Sequence, residues 1–118
     1  MTEKNFHLRI KIWLEDEKGA IVFGRGRMRL LEMIESTGSL LRAAEEMKMS
    51  YRSAWGRLKS TEQLLGHPVI EQLPGQGRRG GSRLTPLGKS LLDKYRRLSA
   101  ELERAGRQVF DEVSLVED

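Results

Sequence analysis

The short segment Ser50–Ser53 holds the side chains with the clearest chemical use in this 118-residue sequence. Arg52 can donate two parallel hydrogen bonds to guanine O6 and N7, Ser53 can bond to several bases, and Tyr51 can reach a phosphate. Lys59 follows two helical turns later and is better placed for a phosphate than for a base. Because these groups donate hydrogen bonds to the acceptors that DNA presents, the segment predicts a nucleic-acid contact.

The segment continues as a helix with one apolar side and one outward side. Trp55 flanks the outward side and either wedges beside the DNA backbone or packs against the preceding helix, which is the favoured alternative. Gly56 costs about 1 kcal/mol against alanine within a helix, so either it lets the helix approach DNA closely or the cost is tolerated. At 100° per residue, the inward side is expected to hold Ala54, Leu58, Thr61 and Leu65, and the outward side Arg52, Gly56, Lys59 and Gln63.

A helix-turn-helix over residues 39–65 is predicted to position these side chains. Its first helix starts near Ser39 and has the apolar spacing Leu40, Ala43, Ala44 and Met47, with alanines small enough for a second helix to cross closely. Lys48 and Met49 form the turn. Ser50 is a natural N-cap for the second helix, because its hydroxyl can accept from an unpaired backbone N–H. That second helix is the one expected to enter the major groove.

Residues 69–84 predict a wing, with a strand over 69–73, a glycine- and arginine-rich loop and a returning strand end at Arg83 and Leu84. Its flexibility and its paired arginines, Arg78 and Arg79, suit a minor groove or a phosphate ridge. The loop lacks the Lys-Ser/Thr pair of a nucleotide-binding P-loop. From Ser50 to Arg83 there are 6 basic and 2 acidic residues, a patch that attracts phosphates or, alternatively, is a solvated surface.

An N-terminal hairpin and a first helix are predicted before this motif. Alternating apolar residues indicate a strand over 7–14 and a partner strand over 20–23. A helix over 27–36 follows, with Gly38 as its stop signal. The inward side chains are expected to be Leu8, Ile10, Ile12 and Leu14 in the strand, and Leu30, Leu31 and Ile34 in the helix.

A long last helix over 85–113 begins at Thr85-Pro86, a cap followed by a proline at the first helical position. Its apolar positions recur every three or four residues for more than three heptads, which is long for a helix that only covers a small core. We expect a second copy of the chain to bury this stripe; packing on the chain's own domain is the alternative. The predicted dimer contacts are Leu87, Leu91, Tyr95 (or Lys94), Leu98, Leu102 and Val109, with Ala105 on the same stripe.

Composition narrows the classes of function. The chain has no cysteine, so it has no disulfide, thiolate metal site or cysteine nucleophile. His7 and His67 lie far apart, and no catalytic triad order, carboxylate pair or metal cluster stands out. We therefore expect no enzyme activity, cofactor or metal. No apolar run approaches the roughly 20 residues of a membrane span and no signal peptide is evident, so we expect one cytoplasmic domain over 1–118.

Together these residues resemble a known family. The most telling parts are TGS (37–39), AA (43–44), MSYRSAW (49–55) and RLTPLG (83–88), and the opening LRIKIWLEDEKGAIVFGRGR resembles the N-terminal hairpin of the same family. The similarity covers about Leu8 to Phe110. It is a similarity to the N-terminal DNA-binding domain of ModE-type molybdate-responsive regulators and, more distantly, to that of LysR-type regulators.

The resemblance implies a mainly α fold with small β elements, namely a winged helix-turn-helix that dimerises through its terminal helices and regulates transcription. It assigns the recognition role to Ser50, Tyr51, Arg52, Ser53 and Trp55, and the wing role to Arg78, Arg79 and Arg83. We expect a homodimer on a near-palindromic double-stranded DNA site, because two-fold proteins read two-fold sites. A winged-helix module that binds protein or RNA is the alternative.

One departure from the family concerns the sensor. ModE regulators continue into oxyanion-binding modules, whereas this sequence stops at Asp118, soon after the long helix. We therefore expect no molybdate-binding module in this chain. Either a separate protein senses the oxyanion, or the protein responds to something else or to nothing.

Overall fold

The structure is a computed structural model that describes residues 6–74, 80–113 and 115. Two short antiparallel β-hairpins flank a group of helices, and a long helix ends the chain. In chain order the elements are β1 (Trp13–Glu15), β2 (Ile21–Gly24), α1 (Arg25–Thr37), α2 (Leu40–Glu46), α3 (Tyr51–Leu65), β3 (Ile70–Gln72), β4 (Ser82–Leu84) and α4 (Pro86–Glu112). This is the mainly α, winged helix-turn-helix architecture that the sequence predicts.

Capping residues set the helix boundaries. The hydroxyls of Ser39, Ser50 and Thr85 accept from the backbone N–H three residues later, at the starts of α2, α3 and α4. Each bond satisfies one of the N–H groups that a helix start leaves unpaired. Gly38 and Gly66 end α1 and α3 with φ of 73° and 80°, in the left-handed region that glycine adopts without a steric penalty. The predicted starts at Ser39, Ser50 and Thr85 and the predicted stop at Gly38 are confirmed.

The hydrophobic core lies between α1, α2, α3 and the start of α4. Thr61, on α3, is fully buried and donates to the carbonyl of Val22 at 2.6 Å, which fastens α3 to β2. The predicted inward residues of the first three helices are buried, except that Met47 and Leu65 are half-buried against the core. Large side chains with essentially no exposure are Phe23, Leu30, Leu31, Ile34, Leu40, Leu58, Val69 and Leu92.

The N-terminal strand is shorter than predicted. Only Trp13–Glu15 pairs with β2, and the pairing is irregular between Leu14 and Glu15. The four-residue β2 is too short to pair with a strand over 7–14. The preceding residues instead run beside α4, where Leu8 and Ile10 lie against Gly106. The alternation of apolar residues therefore marks a contact with a helix rather than a sheet face.

The first helix also differs, because it begins at Arg25 rather than at residue 27. Gly24 serves as its N-cap, and Gly26 lies inside the first turn. Glycine is tolerated at a helix start because the first N–H groups have no intrahelical partner to lose.

Helix α4 has two different halves. In the first, Gly88, Leu92 and Tyr95 are buried in the chain's own core. The ring of Tyr95 meets the ring of Phe23 edge to face at 5.3 Å, and its hydroxyl donates to the carbonyl of Ile12. The prediction of Tyr95 as a dimer contact is therefore wrong, since only 4% of it is exposed. After residue 95 no residue of α4 is buried.

Candidate nucleic-acid interface

The turn between α2 and α3 directs the start of α3 outward. Lys48 adopts φ of 55°, a left-handed conformation that is uncommon outside glycine. The N–H of Met49 then donates to the carbonyl of Ala44 at 3.0 Å, which closes the turn on α2. The Ser50 cap follows at once, with its hydroxyl 3.0 Å from the N–H of Ser53. The turn therefore holds α2 and α3 in one fixed arrangement.

The outward side of α3 is largely as predicted. Arg52, Gly56 and Gln63 are exposed, whereas Tyr51 and Ser53 are half-buried. Tyr51 packs against the hydrophobic core, so part of its ring supports the fold. No heavy atom outside the helix lies within 4 Å of a Cβ built on Gly56. Packing within the chain therefore does not require glycine at this position.

Trp55 and Lys59 form a contact that the sequence reading missed. Trp55 is 45% exposed, so it does not pack fully against α2 as we favoured. The ammonium nitrogen of Lys59 lies 5.4 Å from the centroid of the Trp55 ring, a cation–π contact. Lys59 also pairs with Glu62 at 3.0 Å and is only half-exposed. These two contacts hold Lys59 along the helix, and its availability to a phosphate is lower than the helical wheel indicates.

Glu62 is a buried carboxylate that connects α3 to the wing. Its Oε2 accepts from the backbone N–H of Val69 at 2.8 Å and from that of Ile70 at 3.3 Å. Charge-assisted bonds of this kind are stronger than neutral ones. They fix β3 to the side of α3 that also carries Lys59. The sequence gives little indication that Glu62 is buried. Its position next to Thr61 is compatible with the edge of a solvated face, where a glutamate is ordinary.

The strands of the wing are ordered beside α1. The antiparallel register pairs Ile70 with Leu84 and Gln72 with Ser82. The N–H of Ser82 donates to the carbonyl of Gly38 at 2.9 Å, so the wing is fixed to the end of α1. Arg83 is exposed but donates through Nε to the carboxylate of Glu71. Arg78 and Arg79, the other predicted wing contacts, lie outside the described residues.

The predicted dimer stripe divides between the two halves of α4. Leu87 and Leu91 are half-buried and pack against the chain's own core. Leu98, Leu102 and Val109 expose 37%, 43% and 55% of their surface. The apolar positions available to a partner are therefore those after Tyr95.

Two further observations concern the described part of the chain. None of its helices is long and apolar enough to span a membrane. In residues 6–74, 80–113 and 115, no group of three or more His, Asp or Glu side chains is arranged to hold a metal ion.

Comparison with known proteins places this geometry in context. The family model described as "Bacterial regulatory helix-turn-helix protein, lysR family" matches residues 14–89. The chain is 37% identical over 79 residues to "Molybdenum transport protein ModE" of Azotobacter vinelandii, which covers 67% of this chain and 29% of the relative. It is 33% identical over 109 residues to "Transcriptional regulator ModE" of Haemophilus influenzae, covering 92% of this chain and 42% of the relative. The chain thus spans less than half the length of either relative.

Among solved structures, "Crystal structure of CbnR_DBD-DNA complex" matches with a TM-score of 0.56 at 21% identity, covering 74% of this chain and 94% of that one. At this level of identity the match shows the fold. The resemblance to ModE-type and LysR-type domains inferred from the sequence motifs is confirmed by these comparisons.

Proposed function

Because the chain belongs to the lysR family of bacterial regulatory helix-turn-helix proteins, we propose that it is a sequence-specific DNA-binding regulator of transcription. The observation that carries the proposal is the exposed Arg52 in the first turn of a capped α3, within a helix-turn-helix. First-turn side chains of a recognition helix are the ones that reach base edges in the major groove. A regulator of transcription acts on the chromosome, so we place it in the bacterial cytoplasm.

Each element has a role in this interface. Arg52 reads a base edge, and guanine is the base that accepts two bonds from arginine. Ser50, Tyr51 and Ser53 contribute bonds to bases or phosphates around it. Gly56 lies on the outward side of α3 and faces the groove. Trp55 and Lys59 lie between it and the wing. Arg83, with Arg78 and Arg79 of the loop, contacts the minor groove or the DNA backbone.

The chain acts as a homodimer in this proposal. Leu98, Leu102 and Val109 present an apolar stripe on a helix that extends beyond the core. Packing two such helices together removes the stripe from water and gives the complex a two-fold axis. A two-fold protein reads two half-sites in inverted orientation, so the operator is a near-palindrome.

The relatives suggest the genes that are regulated. The names of the Azotobacter and Haemophilus proteins connect them with molybdenum transport and with transcriptional regulation. We extend the proposal to genes that handle molybdate or a related oxyanion. The chain itself contributes binding rather than catalysis.

The test is selection of binding sites from a random duplex library with the purified protein, with and without molybdate and at two salt concentrations. We expect enrichment of an inverted repeat that molybdate does not change. Uniform loss of binding as salt rises, without enrichment, would instead indicate only phosphate contact and favour a protein- or RNA-binding module.

Arg52→Ala gives the sharpest single change. Loss of a bidentate base contact is expected to cost about 1–3 kcal/mol, and therefore roughly five- to 150-fold in affinity for the selected operator. The preference for the operator over a scrambled duplex should fall as well, because the parent makes this base contact with the operator and not with the scrambled sequence. Fluorescence anisotropy on both duplexes measures the effect. Equal binding by mutant and parent would remove Arg52 from the interface.

A further inference from the structure

The side of α3 away from the wing carries an arginine that lies over the start of α1. Arg57 is exposed, and its Nη1 lies 3.8 Å from the position that a Cβ on Gly26 would occupy. Arg57 follows Arg52 by five residues, so it lies between one and two turns further along the same helix. At about 100° per residue it also lies about 140° around the helix from Arg52, so it flanks the side of α3 that is predicted to face the groove.

A second arginine lies next to it. Arg27 is half-buried, and its Nη1 donates to the carbonyl of Ile21 at 3.0 Å. Its Nε is buried without a hydrogen-bond partner. Burial, and secondly the nearby charge of Arg57, lower the pKa of Arg27 from its usual value. The fold thus holds two like charges together and leaves one donor unsatisfied, both of which are unfavourable without a partner.

No acid in the described chain compensates this pair. The ion pairs among residues 6–74, 80–113 and 115 involve neither Arg27 nor Arg57. The first turn of α1 has no acidic residue, and its N-cap, Gly24, supplies no side-chain bond. The partial positive charge of the helix start therefore adds to that of the two arginines. An anion at this surface would contact the exposed Arg57 and the start of α1, and its charge would offset the repulsion between Arg57 and the half-buried Arg27.

The geometry points to a phosphate clamp, formed by Arg57 and Arg27 at the start of α1, that grips the DNA backbone on the side of the recognition helix opposite the wing. The clamp rests on the proposed function, because the phosphates that it grips belong to the DNA backbone beside the major groove that α3 enters in that proposal. Glu62 fastens the wing to one side of α3, and Arg57 provides a cationic contact on the other. The recognition helix is then held between two phosphate contacts, which fix its depth and register in the groove.

The first test removes one charge. Arg57→Gln is expected to weaken binding to the selected operator and to a scrambled duplex alike, by about tenfold at 0.1 M salt, and to lower the slope of log K against log salt by about 1. The matched control is Arg97→Gln, because Arg97 is exposed on α4 and pairs with Glu101. The control should leave both the affinity and the slope unchanged.

The second test adds a charge at the same place. Gly26→Glu puts a carboxylate beside Arg57 in the first turn of α1, where acidic side chains stabilise a helix. The variant should therefore melt no lower than the parent and still bind DNA about tenfold more weakly. Gly26→Ala is the matched control, since its Cβ meets only ordinary contacts. A stable variant with weak binding separates loss of the clamp from loss of folding.

The outcomes are distinct. If the parent binds the operator and the scrambled duplex with equal affinity, the proposed function fails irrespective of the clamp. If the parent selects its operator but Arg57→Gln keeps the parental affinity and salt slope, the clamp is wrong. Loss of operator binding alone, with binding to the scrambled duplex intact, would also overturn it, because Arg57 would then read a base.

Discussion

The two halves of α4 are built from the same apolar spacing but have different surroundings. From Pro86 to Tyr95 the helix buries Gly88, Leu92 and Tyr95 against the core of its own chain. From residue 96 to Glu112 it buries nothing, although Leu98, Leu102 and Val109 continue the stripe. Periodicity therefore identifies which side of a helix is buried, but it does not identify whether the covering surface belongs to the same chain.

The overall shape reflects the same difference. The chain measures 65 × 31 × 22 Å, and a 27-residue helix is about 40 Å long. The distal half of α4 extends away from the helix-turn-helix. The segment that includes Leu8 and Ile10 lies beside it, and Arg96 at its start pairs with Glu32 of α1 at 2.6 Å. We therefore expect stability to depend on the first half and assembly on the second.

The largest difference in the free energy of unfolding is expected between alanine variants of two leucines. Leu58→Ala empties a fully buried position and should cost about 3–4 kcal/mol in the free energy of unfolding. Leu102→Ala should change the monomer by less than about 0.5 kcal/mol, because Leu102 is 43% exposed. Denaturation in urea at protein concentrations below the dimer dissociation constant measures both. Equal costs would show that the distal half of α4 is packed as tightly as the core.

Two glycines give a second contrast. A Cβ on Gly88 would lie 2.1 Å from the carbonyl oxygen of Val69, and the backbone there cannot easily move. Gly88→Ala should therefore destabilise the fold by about 3 kcal/mol. A Cβ on Gly106 would lie 2.6 Å from Cδ1 of Ile10, the end of a side chain that can rotate away.

Gly106→Ala should therefore change stability by less than about 1 kcal/mol, since the helix propensity of alanine offsets the shift of Ile10. Thermal unfolding of the two alanine variants, run beside the parent, measures the difference. A large loss at Gly106 would show that the N-terminal segment is as rigidly packed as the core.

Assembly is tested by charging the distal stripe. The double variant Leu98→Lys and Leu102→Lys should be monomeric by sedimentation velocity, with unchanged helix content. Its affinity for an inverted repeat should fall about a hundredfold, because the second half-site no longer binds as part of the same complex. Binding to an isolated half-site should stay as in the parent. A dimer that survives the two lysines would place the interface elsewhere.

The smallest effect is expected at Gly56, which neither half of α4 contacts. Gly56→Ala should raise the free energy of unfolding by up to about 1 kcal/mol, because the space around its Cβ is open. If the helix backbone approaches DNA closely, operator affinity should fall in the same variant. A gain in stability with unchanged affinity would show that the glycine is merely tolerated.

The parts of the fold that the sequence predicted well depend on local chemistry. Ser39, Ser50 and Thr85 start their helices, and Gly38 and Gly66 end theirs, because a cap involves only the neighbouring turn. The inward positions of α1 to α3 followed from helical spacing for the same reason. Prediction was therefore successful wherever the deciding contact lies within a few residues.

The features that the sequence did not predict depend on contacts with residues far away in the chain or with backbone amides. Tyr95 bonds to the carbonyl of Ile12, 83 residues away, so spacing alone assigned it to the wrong surface. Glu62 is buried because two backbone amides beyond the end of α3 pair with it. Arg57 and Arg27 meet only once α1 and α3 have packed, and no short motif contains both.

Helix α4 connects the wing to the distal apolar stripe as one continuous helix. Its first turn is fastened beside the wing, where the Thr85 hydroxyl donates to the carbonyl of Pro68 at 2.8 Å. If two chains join through the distal half, the separation of their recognition helices depends on the number of α4 residues between its first turn and the dimer contact. One added helical turn lengthens the connection by about 5.4 Å, against about 3.4 Å per base pair of DNA. The length of this helix and the spacing of the operator half-sites must therefore change together in evolution.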